Sequence, residues 1–165
     1  MEPHIVFVSV GSNIGDRKAN CQSGIAALSA SGAVALNAVS EFYETEPVDY
    51  VDQDWFVNAA VRGVTTLTPI QLLETLKGIE KKAGRGDSAL RFGPRVLDLD
   101  IIFFDERVIN TDRLVVPHPR MHERRFVLEP VCDIDPSVVH PVLQRSVRVI
   151  LNDLPDDGNQ RVVRL

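Results

Sequence analysis

Two helical stretches with clear end signals, each set between apolar runs of strand length, constrain this chain more than any other feature. The first follows Gly11–Asp16 (GSNIGD), a turn in which two glycines and an asparagine allow unusual backbone angles. Asp16 can cap a helix, Cys21, Ile25 and Leu28 then recur at helical spacing, and Gly32 can end it. The second opens at Thr68-Pro69-Ile70-Gln71. Thr68 is a capping residue, Pro69 suits a first turn where an N–H would go unused, and Gln71 completes a capping box. Leu72, Leu73, Leu76 and Ile79 form its apolar stripe, and Gly84 closes it. The runs His4–Val10, Val34–Glu44, Trp55–Val64 and Val96–Phe104 are rich in β-branched and aromatic residues and read as strands.

The order is therefore βαββαβ. Two helices on one face of an antiparallel four-stranded sheet make an α+β domain of ferredoxin-like arrangement. The remainder, 105–165, reads as an extension of short helices and strands. It holds a Pro-rich stretch (Val116–Pro119), a short helix around Met121–Leu128 and a later helix with Val147, Ile150, Leu151 and Leu154 on one side. The closing QRVVRL can add an edge strand. At 165 residues the chain is expected to form a single domain, 1–165, with one sizeable core.

Composition narrows the function. Hydrophobic residues make up 44% and charged residues 25%, the balance of an ordinary globular protein, so disordered and coiled-coil classes are excluded. The net charge of −5 speaks against gripping nucleic acid, which calls for a basic surface. Cys21 and Cys132 have no metal or redox spacing around them and read as two buried free thiols in a reducing compartment. The opening MEPHIVFVSV lacks the basic region of a signal peptide, and no run of about 18 apolar residues is present to span a membrane. The expected location is the cytoplasm.

Asp98-Leu99-Asp100 carries the chemistry. Residues two apart in a strand share a face, so both carboxylates point one way, flanked by Val96 and Ile102. Leu97, Leu99, Ile101 and Phe103 are expected to point the other way, into the helix-covered core. Two carboxylates ~5 Å apart repel by about 3 kcal/mol at an effective dielectric near 20, so a proton or a cation is needed between them. Few ligands, all oxygen, suit Mg²⁺, which keeps waters and takes one or two carboxylates plus substrate phosphates. Just upstream, Arg85, Arg91 and Arg95 are interleaved with Gly84, Gly86, Gly93 and Pro94. A basic loop beside an acidic pair fits polyphosphate transfer, with metal and guanidinium groups sharing the oxygens. No Walker A motif is present, so a nucleotide would be held by side chains and metal. The polar stretches around Pro47–Asp54 and Gly84–Gly93 have the length of closing lids.

The motifs GSNIGD, YETEP with DQDWFVN, GR…RFGPRVLDLDI, and VPHPRM…RFVLEP occur in this order from Ile5 to about Pro136. As an ordered set they resemble the 6-hydroxymethyl-7,8-dihydropterin pyrophosphokinase family of folate synthesis, whose fold is ferredoxin-like. The resemblance implies that the pterin hydroxymethyl oxygen attacks the β-phosphorus of ATP, the pyrophosphoryl group moves as a unit and AMP leaves. It implies two Mg²⁺ ions on Asp98 and Asp100, with Arg85 and Arg95 contacting the transferred phosphates. Glu80, Arg91, Ile101 (through its backbone), Arg113, His118 and Arg124 match ATP-binding positions. Phe56 and Phe126 match the aromatics that sandwich the pterin, Asn58 the amide that reads its edge, with Thr45, Val48 and Phe92 beside them. Stacking on a flat ring contributes ~0.5–1.5 kcal/mol beyond burial, and an Asn amide offers the donor and acceptor that a pterin edge requires.

Three positions depart from the family pattern. Asp87 stands where many relatives are basic, Phe92 replaces a common Trp, and Val115 replaces a frequent hydroxyl-bearing residue. The implied partners are small molecules, with no nucleic acid, no membrane and a monomeric state. A sensor module without chemistry would share the fold but leave the carboxylates and arginines unexplained. An RNA-binding module of the same architecture would need a basic face.

Overall fold

The computed structural model describes residues 2–48, 51–84 and 95–165. The core elements run β1 (His4–Ser12), α1 (Arg17–Ala30), β2 (Ala35–Val39), β3 (Tyr43–Thr45), β4 (Phe56–Thr65), α2 (Pro69–Lys82) and β5 (Asp98–Phe104). Then follow β6 (Ile109–Asn110), β7 (Val115–Val116), a 3₁₀ turn at Met121–Glu123, α3 (Arg125–Ile134), β8 (Val139–His140), β9 (Arg145–Ser146), α4 (Val147–Asp153) and β10 (Val162–Arg164).

Both central helices start where their local chemistry dictates. The Asp16 side chain accepts from Ala19 N–H, occupying one of the donors a helix start leaves unused. At α2, Thr68 Oγ1 accepts from Gln71 N–H at 3.2 Å, while Gln71 Oε1 accepts from Thr68 N–H at 2.9 Å. The capping box read from the sequence is thus complete. Gly32 follows α1 at φ +73°, a conformation that L side chains rarely adopt.

The sheet is antiparallel throughout. β1 lies between β4 and β5, and β2 and β3 both pair with the far edge of β4. This is the strand order of a ferredoxin-like core. β10 adds an edge strand beside β3, as QRVVRL suggested. One face of the sheet is covered by α1 and α2 over Val6, Val8, Val10, Leu99 and Ile101. The other is covered in part by α3 and α4, over Phe7, Ile102 and Phe103. Both cysteines are buried free thiols. Among the described residues, no helix is long and apolar enough to cross a membrane.

The sequence expectations need four corrections. The stretch Val34–Glu44 is two strands, because Ser40 breaks the ladder. Ser40 Oγ accepts from Ala60 N–H at 2.8 Å and Ser40 N–H donates to the Ala60 carbonyl at 2.9 Å. Pairing passes from Val39↔Val61 to Tyr43↔Asn58, leaving more residues on this strand than on β4. Phe103 does not point toward α1 and α2. The register slips between Val8↔Ile101 and Phe7↔Phe103, so alternation breaks at Ile102 and Phe103 joins the α3–α4 side. The supposed turn at Gly11 is strand, since β1 runs through Ser12. The helix expected at Met121–Leu128 is a 3₁₀ turn followed by α3, which extends to Ile134.

Candidate active site

Alternation along β1, β4 and β5 builds the floor of a cavity of about 280 Å³ on the sheet face opposite α1 and α2. Val8, Val10, Val57, Leu99 and Ile101 turn toward those helices, which leaves Ser9, Gly11, Asn58, Asp98 and Asp100 facing the cavity. Gly11 is in register with Asn58 on one side and Asp98 on the other; Ser9 faces Ala60 and Asp100. A row Asn58–Gly11–Asp98 therefore crosses three strands. Amide and carboxylate backbones lie two strand spacings, ~10 Å, apart. One wall is Thr45 to Val48 with Phe56, and the other is His118, Arg124 and Phe126. Arg95, just before β5, closes the acidic end.

At the other end, Asn58 and Thr45 are both buried, and Asn58 Nδ2 donates to Thr45 Oγ1 at 2.6 Å. That bond fixes the amide in the cavity floor. A methyl on Gly11 would come within 2.6 Å of Asn58 Oδ1, closer than real Cβ contacts fall. Gly11→Ala is thus expected to push the amide off its position; if Asn58 reads a flat ring, as the sequence resemblance implies, KM for that ring rises about tenfold with KM for the phosphate donor unchanged. Steady-state kinetics with each substrate varied checks this, and equal rises in both constants would contradict it.

His118 sits in the stiff V-P-H-P segment, tied to β5 by its N–H donating to the Ile102 carbonyl at 3.1 Å. Burial first, then the neighbouring Arg124, lowers its pKa to about 4, against an opposing pull from Asp98. The ring is therefore neutral at pH 7, and among the described residues its buried Nδ1 has no hydrogen-bond partner. Arg124 lies with its guanidinium 5.5 Å from the Phe126 ring centroid, so cation and aromatic share one wall.

The structure brings together Thr45, Val48, Phe56, Asn58, Arg95, Asp98, Asp100, His118, Arg124 and Phe126 around one cavity. Arg85, Arg91, Phe92 and Asp87 lie outside the described residues, as does most of the Gly84–Gly93 stretch. Three further residues matched to ATP-binding positions are not in that lining, Ile101 having been expected to contribute only its backbone. Glu80 is buried in α2, and its Oε2 accepts from Leu99 N–H at 2.7 Å. It grips the backbone between the two aspartates from beneath. Ile101 packs its side chain into the helix-side core, so only its backbone could meet a ligand. Arg113 is exposed and pairs with Glu74 of α2 at 3.2 Å, away from the cavity lining.

Sequence reasoning missed Ser9, Gly11, Glu46 and Gln53 in the lining, and it missed Asn13, which holds the backbone of the lining residue Arg95. Asn13 is buried, and its Oδ1 accepts from Arg95 N–H at 2.7 Å while its own N–H donates to the Arg95 carbonyl at 3.0 Å. Its Nδ2 donates to Gln53 Oε1 and to the Asp54 carbonyl. The GSNIGD turn thereby fixes the loop before β4 and the residue before β5 at once. The motif itself was the only available signal, since none of these partners is near Asn13 in sequence.

Carboxylates with an arginine at one end of a cavity, and an aromatic pair with a clamped amide at the other, define a small-molecule transferase on a ferredoxin-like sheet. Residues 7–136 match the 7,8-dihydro-6-hydroxymethylpterin-pyrophosphokinase family. The 2-amino-4-hydroxy-6-hydroxymethyldihydropteridine pyrophosphokinase of Bacillus subtilis is 47% identical over 131 residues, covering 79% of this chain and 78% of that protein. Its counterpart from Methylorubrum extorquens is 40% identical over 156 residues, covering 94% and 97%. The folate synthesis bifunctional protein of Arabidopsis thaliana is 46% identical, but this chain covers 26% of its length. The crystal structure of wild-type Plasmodium falciparum HPPK-DHPS with pterin and p-hydroxybenzoate superposes with a TM-score of 0.72 at 16% identity, over 92% of this chain and 43% of that one. The chain belongs to the 7,8-dihydro-6-hydroxymethylpterin-pyrophosphokinase family, enzymes of folate synthesis.

Proposed function

We propose that this chain transfers the pyrophosphoryl group of ATP to the hydroxymethyl oxygen of 6-hydroxymethyl-7,8-dihydropterin and releases AMP. The observation that carries the reading is the row Asn58–Gly11–Asp98, which joins a ring-reading amide to a carboxylate pair in one cavity. Phe56 and Phe126 stack on the two faces of the pterin, and Asn58, steadied by Thr45, presents donor and acceptor to its edge. The ring held there directs its hydroxymethyl arm along the floor toward Asp98 and Asp100. Arg95 binds the phosphates, with Arg85 and Arg91, upstream in the sequence, assigned to the same task. His118 and Arg124 take the nucleotide side. The oxygen attacks the β-phosphorus and gives up its proton to solvent, the bond from that phosphorus to the α-phosphate oxygen breaks with its electron pair leaving on AMP, and the two reactants, fixed in one cavity, need no chance encounter.

The donor set fits Mg²⁺. Asp98 and Asp100 supply oxygen only, and among the described residues no group of three or more His, Cys, Asp or Glu could cage an ion. An ion that keeps waters and shares itself with substrate phosphates suits so sparse a site. When bound, Mg²⁺, assigned here as two ions, would neutralise phosphate oxygens and polarise the phosphorus under attack. The chain is assigned as a single domain, 1–165, acting as a monomer in the cytoplasm; its two buried free thiols fit a reducing compartment.

Nucleotide products test the reading. Incubated with ATP, Mg²⁺ and the hydroxymethyl-dihydropterin, the protein should form AMP only when the pterin is present. ADP would indicate ordinary phosphoryl transfer, and no turnover would indicate a sensor.

A further inference from the structure

Gln160 and Arg161 lie beyond the residues matched to the family, yet they touch the supports of both walls that face the ring. Gln160 takes a left-handed φ of 56° and spreads three polar groups in different directions. Its N–H donates to Glu46 Oε1 at 3.0 Å, its Nε2 donates to the Glu123 carbonyl at 2.9 Å, and its Oε1 accepts from Arg125 N–H at 3.1 Å. Arg161 Nε donates to Glu46 Oε2 at 2.9 Å, and its guanidinium lies 4.8 Å from the Trp55 ring centroid. Glu46 N–H donates in turn to the Arg161 carbonyl.

Each partner lines the cavity or adjoins a residue that does. Glu46 lies between Thr45 and Val48, Trp55 precedes Phe56, and Arg125 sits between Arg124 and Phe126. Arg125 also opens α3, whose preceding residue gives it no side-chain cap. Gln160 supplies that cap from 35 positions away. One dipeptide thus spans from the β3–β4 wall to the α3 wall. An ion pair such as Arg161–Glu46, with its arginine exposed to solvent, contributes little to stability by itself. Its consequence is placement, because two bonds to one carboxylate and a stacked ring fix direction as well as distance.

We infer that Gln160 and Arg161 form a clasp that sets the gap between Phe56 and Phe126, making them positioning residues for the flat ring. The inference rests on the proposed pterin site. Because walls set in advance save the cost of ordering them on binding, loosening the clasp weakens the ring substrate alone.

The test uses the full chain with Gln160→Ala, Arg161→Ala and the milder Arg161→Lys, with exposed Asp156→Ala as control. Trp55, the single tryptophan, reports the wall directly by fluorescence. Pterin Kd and KM are expected to rise about tenfold in both alanine variants, with ATP KM within twofold of the unmodified protein and Asp156→Ala unchanged. Arg161→Lys should fall between, keeping the charge but losing the fork. Pterin binding that ignores all three substitutions, or ATP and pterin constants that move together, would overturn the clasp while leaving the pterin site standing. Absence of pterin binding by the unmodified protein would overturn both.

Discussion

Replacing Asp98 or Asp100 with alanine will lower turnover by at least about a thousandfold, while the protein still folds. A divalent cation contributes several kcal/mol to a phosphoryl transition state, and each 1.4 kcal/mol is about tenfold in rate. On the proposed metal assignment, losing one of the two carboxylates in a site this sparse forfeits most of that. The fold should survive because both side chains face the cavity, whereas Leu99 and Ile101 between and beside them fill the core. Circular dichroism and melting should place both variants within a few degrees of the parent, and calorimetry should show loss of Mg²⁺-dependent ATP binding. Turnover within tenfold of the parent in either variant would contradict the metal assignment.

The second large effect falls on Asn13, which is not part of the cavity lining. Asn13→Ala removes the acceptor for Arg95 N–H and the donors to Gln53 and Asp54. A buried group left without a partner costs about 1–3 kcal/mol, which for a chain of this size lowers Tm by roughly 2–12 °C. In the proposed reaction Arg95 then loses its fixed approach to the phosphates, so kcat should fall about a hundredfold while pterin KM stays put. Asn13→Asp keeps the acceptor toward Arg95 and loses only the amide donors. It should recover most of kcat but little of the stability. Equal kcat in Asn13→Ala and the parent would show that Arg95 is placed by other contacts.

These two predictions also mark what the sequence could reveal. The aspartate pair was legible because strand alternation is local: two residues apart means one face. The helices were legible for the same reason, as Thr68, Pro69 and Gln71 act on each other within one turn. Asn13 and Glu80 were not legible in their positioning roles, because each acts on backbone far along the chain. Phe103 was assigned to the wrong face since a single bulged residue reverses the alternation after it, and that bulge depends on pairing with β1. The break at Ser40 likewise arises from its contact with Ala60 and not from any turn signal at Ser40. Gly11 has the local signature of a turn residue, although in the strand it leaves room for Asn58.

The fate of the β-phosphorus tests the central claim most directly. ATP labelled at that atom, incubated with Mg²⁺ and the hydroxymethyl-dihydropterin, should pass its label to the pterin and leave unlabelled AMP. Label retained on a nucleoside diphosphate would mean that the γ-phosphoryl group moves alone, and the assignment of this cavity to pyrophosphoryl transfer would be wrong.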